Sequence, residues 1–131
     1  DGSTLSERVS PVHVAKRFSK VRSLGTELSG KELFDLADQG NSEAQQAVEG
    51  LLDSLALAIF NTCLVVNPDV VAIGGGISQR RNLATDIHQR VEQYKQRTEA
   101  TDMDVEIAAC HYFNDANLIG AVAHFLNSRA E

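Results

Sequence analysis

The sequence predicts an α/β domain in which few parallel strands are flanked by long helices. The stretch Val70–Ile73 is an unbroken apolar run, which is typical of a short strand buried on both faces in a parallel sheet. Gly74, Gly75 and Gly76 end this run, and a helix is expected to follow them. Elsewhere, apolar residues at helical spacing indicate six helical segments around only two strands. A strand–helix–strand unit implies a right-handed crossover and hence a parallel pair.

Composition indicates one globular domain over residues 1–131. Hydrophobic residues make up 43% and charged residues 23% of the chain. The net charge of −6 argues against direct contact with nucleic acid. No apolar run approaches the roughly 18 residues of a membrane helix, so no membrane partner is expected. Cys63 and Cys110 form no CxxC pair, so we expect free thiols in a reducing cytoplasm.

Three helices near the start of the chain have recognisable start signals. These signals are two capping boxes and one N-cap followed by proline: Thr4-x-x-Glu7, Ser29-x-x-Glu32 and Ser10-Pro11. The chain opens at Asp1 rather than at Met, so we expect it to be a fragment of a longer protein. It shows no signal-peptide pattern.

The longest helix is predicted over residues 41–66. Asn41 is its expected N-cap, and apolar residues recur at helical spacing over about 37 Å, at about 1.5 Å per residue. The apolar stripe broadens toward the C-terminal half, which is therefore expected to be buried nearly all round. Gly50 lowers helix propensity, and either the close approach of a neighbouring helix or no particular cause would account for it.

The second half of the chain follows the order strand, helix, strand, helix. Residues 105–109 are predicted to form the second strand, which is less apolar than the first and so nearer an edge. Asn114 or Asp115 is expected to cap the last helix. That helix is predicted to bury five apolar side chains: Leu118, Ile119, Val122, Phe125 and Leu126.

Taken in order, these segments resemble the C-terminal half of ROK proteins, a family of repressors, open reading frames and sugar kinases. The resemblance covers roughly residues 4–127. Its most specific parts are NPDVVAIGGGIS and the small-residue helix NLIGAVAHF. It implies the two-lobed, actin-like (ribonuclease H-like) ATPase fold. This chain would be the helix-rich C-terminal lobe with the final helix that returns toward the first lobe, and the N-terminal lobe would be absent.

The resemblance implies two binding positions, and each has a plainer alternative. Gly74, Gly75 and Gly76 match the loop that approaches the ribose and first phosphate of the nucleotide, at a helix N-terminus. The alternative is a tight strand-to-helix turn without a ligand. Glu7 matches a Glu that accepts hydrogen bonds from sugar hydroxyls. The alternative is a capping-box residue on a surface turn.

The family's catalytic parts are not in this sequence. Its phosphate loop and its catalytic Asp are missing, so no catalytic residue is assigned. No metal site is expected either, since Leu5 stands where the last Cys of the family's zinc cluster would be. The four histidines lack metal-ligand spacing and are scattered along the chain: His13, His88, His111 and His124.

Five further side chains near the glycine turn are judged from their positions in the sequence. His111 and Asn114 follow the second strand, so they are candidates to line the site at the same end as the glycine turn. Ser78 is expected to cap the next helix or to add a hydroxyl to the site. Arg80 and Arg81 are expected to be solvated surface residues rather than phosphate ligands.

The favoured function is the C-terminal domain of an ATP-dependent sugar kinase that phosphorylates a hexose or an N-acetylhexosamine. The parent protein would use ATP and Mg²⁺, zinc is not expected, and the fragment itself would be inactive. Whether the chain counts as an enzyme is left open. The alternatives are the sugar-sensing domain of a ROK repressor and a non-catalytic dimerisation module packed through the helix at 41–66. A homodimer in the cytoplasm is expected.

Overall fold

The computed structural model describes residues 2–23, 25–100 and 102–129, apart from the side chain of Asn114. Within these residues the chain forms six α-helices and two strands, as the sequence predicts. They are α1 Leu5–Val9, α2 Pro11–Val21, α3 Gly30–Asp38, α4 Ser42–Val66, β1 Val70–Ile73, α5 Leu83–Thr98, β2 Glu106–Ala109 and α6 Ala116–Asn127. Two short 3-10 turns complete the order, Gly76–Gln79 after β1 and Phe113–Asp115 before α6.

The two capping boxes and the Asn41 cap form as predicted, whereas Ser10 stands at the N-cap of α2 without a side-chain capping bond. Helices α1 and α3 each begin with a complete capping box, formed by Thr4 with Glu7 and by Ser29 with Glu32. At the start of α4, the Asn41 side-chain oxygen accepts a hydrogen bond from the backbone N–H of Ala44 at 2.9 Å. Local hydrogen bonding between residues three apart is therefore enough to place these three helix ends.

Strands β1 and β2 form a two-stranded parallel sheet, which confirms the predicted pairing. The register runs from Val70 opposite Glu106 to Ile73 opposite Ala109. Burial of β1 on both faces was the wrong expectation, because Ile73 is 7% exposed while Val70 is 50% exposed. Successive side chains of a strand point to opposite faces, so Val70 and Ala72 lie on the exposed face of β1 and Val71 and Ile73 on the covered one.

The core is built around α4, which packs against α3 on one side and α5 on another. Leu33 of α3 and Ile87 of α5 are fully buried against it. The Phe60 ring of α4 stacks on Tyr94 of α5 with centroids 5.8 Å apart. The buried side chains of α4 are Ala44, Val48, Leu51, Leu52, Ala56, Ile59, Phe60 and Cys63. Close approach of a helix at Gly50 is not found, since a Cβ there would meet nothing within 4 Å.

Two apolar regions that the sequence predicts to be buried are exposed. In the C-terminal half of α4, Leu64 is 54% and Val65 is 85% exposed. Helix α6 buries none of its residues; its five predicted core side chains are between 39% and 69% exposed. The reason is geometric: α6 has its main contacts with the 3-10 turn that precedes it and lies away from the other helices.

Helix α4 is also long and apolar enough to span a membrane, by length and composition alone. An 18-residue window within it has a mean hydropathy of 1.6. The sequence expectation concerned an unbroken apolar run, and this helix contains none of that length, because every 18-residue window in it includes Asp53. Such a helix passes the same test when it is the core helix of a folded domain, and here 39% of the window is buried by the surrounding protein.

Candidate functional site

The carboxyl ends of the two strands meet at the glycine turn. The backbone N–H of Cys110, just after β2, donates to the carbonyl oxygen of Ile73 at 2.8 Å. The N–H of Gly75 donates to the carbonyl oxygen of Phe113 at 3.4 Å. Both post-strand segments are thus hydrogen-bonded together at one edge of the sheet, which is where ligands bind in open α/β sheets.

The glycine turn has a backbone conformation that requires glycine. Gly75 has φ 78° and ψ −172°, a region that residues with a side chain rarely adopt. Its carbonyl oxygen accepts two hydrogen bonds from Ser78, from the backbone N–H at 3.1 Å and from the hydroxyl at 2.6 Å. Ser78 therefore closes the turn itself and does not cap the next helix.

A helix N-terminus does not stand directly behind the glycine turn, in contrast to the prediction. The 3-10 turn Gly76–Gln79 follows the glycines, and α5 begins only at Leu83. Asn82 precedes α5 in a left-handed conformation with φ 63° and makes no side-chain capping bond. Hence the turn offers a ligand its own backbone and the open space beside it, without the aligned N–H groups of an α-helix.

A cavity of about 600 Å³ lies beside this turn. Its walls come from the start of α2, from α3 and from the residues after β1, including Pro11, Phe34, Asp38, Gly76 and Arg80. The cavity is therefore a cleft between two helices and the glycine turn.

The cleft depends on a close contact between α2 and α3. Gly30, the first residue of α3, lies so near to Pro11 that a Cβ on it would stand 2.5 Å from the Pro11 Cβ. Since real Cβ atoms do not approach so closely, a side chain at position 30 would push the two helices apart. The absence of a side chain at Gly30 thus determines the spacing of the cavity walls.

Arg80 lies in the wall of the cavity, contrary to the expectation of a solvated side chain. Its side chain is 21% exposed, and its guanidinium carbon is 5.1 Å from the centroid of the Phe34 ring. One terminal nitrogen is 3.7 Å from a carboxylate oxygen of Asp38. Arg81, which also borders the cavity, is exposed as expected.

Glu7 forms the capping box at the start of α1, which is the alternative to a sugar-binding role. Its Oε2 accepts hydrogen bonds from the backbone N–H of Thr4 at 2.7 Å and from the Thr4 hydroxyl at 2.9 Å. The backbone hydrogen bond from Thr4 is the main cause that lowers the pKa of this carboxyl. A second cavity, of about 420 Å³, is lined by Glu7 with basic side chains that include His13 and Arg17. The sugar-binding role of Glu7 stays a prediction.

The remaining candidates form no further site in the described part of the chain. His111 stacks edge-on against Tyr112 at 5.0 Å and does not border the 600 Å³ cavity, and the side chain of Asn114 lies outside the described residues. No group of three His, Cys, Asp or Glu side chains in the described ranges is arranged to hold a metal. Cys63 and Cys110 are free, and burial raises the pKa of the Cys63 thiol.

Sequence reasoning missed the α2–α3 side of the cavity. Pro11, Gly30 and Phe34 appear in the sequence only as helix-start and core residues. The one available signal was Gly30 at the first position of a capping-box helix, where a residue with better helix propensity would normally stand. That signal indicates a close contact, but it does not say which helix makes it.

Comparison with known proteins gives a family match and several relatives. A sequence model described as the ROK family matches residues 9–128. N-acetyl-D-glucosamine kinase from Escherichia coli O1:K1 / APEC is 37% identical over 67 residues, which are 51% of this chain and 22% of that enzyme.

Solved structures agree with this match over nearly the whole chain. A ROK family protein from Streptococcus pneumoniae TIGR4, solved in complex with sucrose, is 28% identical with a TM-score of 0.83. The match covers 97% of this chain and 44% of that protein. A ROK hexokinase from Thermus thermophilus is 16% identical with a TM-score of 0.75, and this likeness shows the shared fold. The match covers 95% of this chain and 41% of the hexokinase. The chain therefore spans less than half the length of these relatives.

Proposed function

The chain belongs to the ROK family, and on that premise we propose that it is the C-terminal, nucleotide-side lobe of an ATP-dependent sugar kinase. The parent protein transfers the γ-phosphoryl group of ATP to a hydroxyl of a hexose or an N-acetylhexosamine. The identity to an N-acetyl-D-glucosamine kinase supports the sugar class. In this proposal the parent is a cytoplasmic homodimer, and the fragment alone is inactive because the phosphate loop and catalytic Asp are not in it.

The observation that carries the proposal is the glycine turn with the cavity beside it. Gly74, Gly75 and Gly76 stand at the joined carboxyl ends of both strands, where a nucleotide can approach the bare backbone. In the proposal the ribose and first phosphate lie against these glycines, and the base enters the cavity between α2 and α3. Phosphoryl transfer depends on such positioning more than on covalent chemistry supplied by the protein.

The residues present fit the adenosine side of ATP. The cavity volume of about 600 Å³ is within the range of small-molecule sites, about 300–1,000 Å³. A Cβ at Gly75 would meet nothing within 4 Å, so the space facing the turn is open. No three His, Cys, Asp or Glu side chains in the described ranges are grouped to hold a metal, and we assign none of them to Mg²⁺ or to zinc.

Glu7 is proposed as the sugar-side residue of this lobe. Hydrogen bonds from Thr4 lower its pKa, so it is a carboxylate at neutral pH and accepts hydrogen bonds from hydroxyl groups. Both of the Thr4 bonds go to Oε2. In this proposal a sugar hydroxyl donates to the other oxygen, Oε1, while the capping box holds the side chain in place.

The test is ATP-dependent phosphorylation by the protein of the complete reading frame, with glucose and N-acetylglucosamine as substrates. Glu7→Gln should raise the KM for the sugar about tenfold or more, since a charge-assisted hydrogen bond is lost. Glu32→Gln is the matched control, because Glu32 has the same capping geometry and a pKa also lowered by hydrogen bonds from its cap residue, but does not border the Glu7 cavity.

Two results would contradict the proposal. One is a reading frame that lacks both the phosphate loop and the catalytic Asp; a DNA-binding helix-turn-helix in their place would favour the repressor. The other is equal KM values for the Glu7 and Glu32 variants, which would leave Glu7 with its capping role alone.

A further inference from the structure

The guanidinium group of Arg80 is mostly buried, yet it makes no strong hydrogen bond or ion pair within the described part of the chain. The side chain is only 21% exposed, and its Nε is buried without a hydrogen-bond partner among the described residues. The 3.7 Å between its terminal nitrogen and Asp38 is longer than a hydrogen bond. Buried polar groups are normally hydrogen-bonded, so this arrangement calls for an explanation.

Arg90 provides an internal comparison. Its side chain is 23% exposed, and its Nε is likewise buried and unpartnered. However, a terminal nitrogen of Arg90 donates a short charge-assisted hydrogen bond to Glu49. The unpartnered Nε is therefore not what distinguishes Arg80. The difference is that Arg80 has no strong acceptor and instead lies over the ring of Phe34, in the wall of a cavity.

The other walls of the cavity indicate what kind of group Arg80 would meet. Charges of both signs border the cavity, since Asp35 and Asp38 are acidic while Lys31 and Arg81 are basic beside Arg80. Pro11 and Val12 add apolar surface at the start of α2. A neutral, flat, aromatic ring with hydrogen-bonding edges suits this mixture, because a guanidinium plane stacks on such rings and donates at their edges.

We propose that Arg80, supported from behind by Phe34, is the residue on which the nucleotide base stacks in this cavity. The inference rests on the proposed function, since it assigns the base-binding part of the same nucleotide site. Arg80 contributes its planar face to the base, and Phe34 holds that face in position. Asp38 keeps the guanidinium oriented without engaging it in a hydrogen bond.

The experiment measures equilibrium binding of ATP, adenosine and inorganic triphosphate to the complete protein. Arg80→Ala should weaken ATP and adenosine to the same extent, about tenfold, which is the scale of one stacking interaction. Binding of triphosphate should not change. Arg80→Lys should bind ATP and adenosine as weakly as Arg80→Ala does although it keeps the charge, because an ammonium group has no plane to stack. Phe34→Leu should also weaken the binding of adenosine.

Arg90→Ala is the matched control and should bind adenosine as the unmodified protein does. A larger loss for ATP and triphosphate than for adenosine would overturn the inference in favour of a phosphate ligand. Full affinity in Arg80→Ala or Arg80→Lys would also overturn it, as would an unmodified protein that binds no adenosine. A protein that binds adenosine through Arg80 but phosphorylates no sugar would sustain this inference and refute the proposed function.

Discussion

Gly75 is the residue whose backbone conformation depends most directly on the lack of a side chain. Its φ of 78° with ψ near −172° places it outside the left-handed helical region that Asn and Asp tolerate. Gly74, by contrast, has no positive φ, and a Cβ there would make an ordinary contact of 3.5 Å with the Cys110 sulfur. The three glycines of the turn are thus not equivalent, although the sequence presents them as one run.

We expect Gly75→Ala to lower the free energy of unfolding by about 1–3 kcal/mol, the usual cost of a residue held in such a region. Space is not the reason, since nothing lies within 4 Å of the added Cβ. Gly50→Ala is the control: it adds the same atom to open space inside α4 and should stabilise by about 0.8–1 kcal/mol. Urea unfolding of both variants measures the difference. A Gly75→Ala variant as stable as Gly50→Ala would show that the strain does not exist.

Among the secondary-structure elements, α2 and α3 have the contact on which the candidate site depends. Their close approach at Pro11 and Gly30 forms one side of the cavity. Ser19 strengthens the same pair, since its buried hydroxyl donates to the carbonyl oxygen of Ala15 and accepts the N–H of Leu28 at 2.8 Å. That bond ties the segment entering α3 to the middle of α2.

Gly30→Ala should cost about 1–3 kcal/mol of unfolding free energy, because the new Cβ is placed 2.5 Å from the Pro11 Cβ. Gly25→Ala, in the same connection but with nothing within 4 Å, should be within about 0.5 kcal/mol of the unmodified chain. Thermal unfolding checks both. Combining Gly30→Ala with Pro11→Gly removes the clashing atom, so the two changes should cost less together than the sum of their separate effects. Simple additivity would disprove the proposed contact.

Over the whole molecule, the most distinctive property is apolar surface that the chain does not bury. Helix α6 presents Leu118, Val122 and Phe125 on one face, each more than half exposed. Val65 of α4 and Val70 of β1 add further apolar area. Contiguous apolar patches of this kind mark surfaces that associate.

The isolated chain is therefore expected to self-associate at micromolar concentration. Leu118→Lys with Val122→Lys should shift it toward the monomer in sedimentation velocity, because two charges would be buried in any contact through this face. The control places the same two charges on the polar face of α5, with Gln89→Lys and Gln93→Lys, and should leave the association unchanged. A chain that sediments as a monomer before any substitution would refute the prediction.

What the sequence alone determined is the local structure and the family. The capping boxes at Thr4 and Ser29, the Asn41 cap and the strand before the glycines were all predicted, because each depends on residues within a few positions of one another. The parallel pairing of β1 and β2 also follows from the order of the elements. The family resemblance depends on the same ordered segments.

Only the tertiary structure decided which apolar side chains are buried and which polar ones form the site. Phe125 has the same helical spacing as core residues, yet no helix among the described residues covers it. Arg80 looks like a surface cation in the sequence, but it lies over Phe34, a residue 46 positions earlier. Burial and cavity walls depend on which elements meet in space, and periodicity within one segment carries no information about its neighbours.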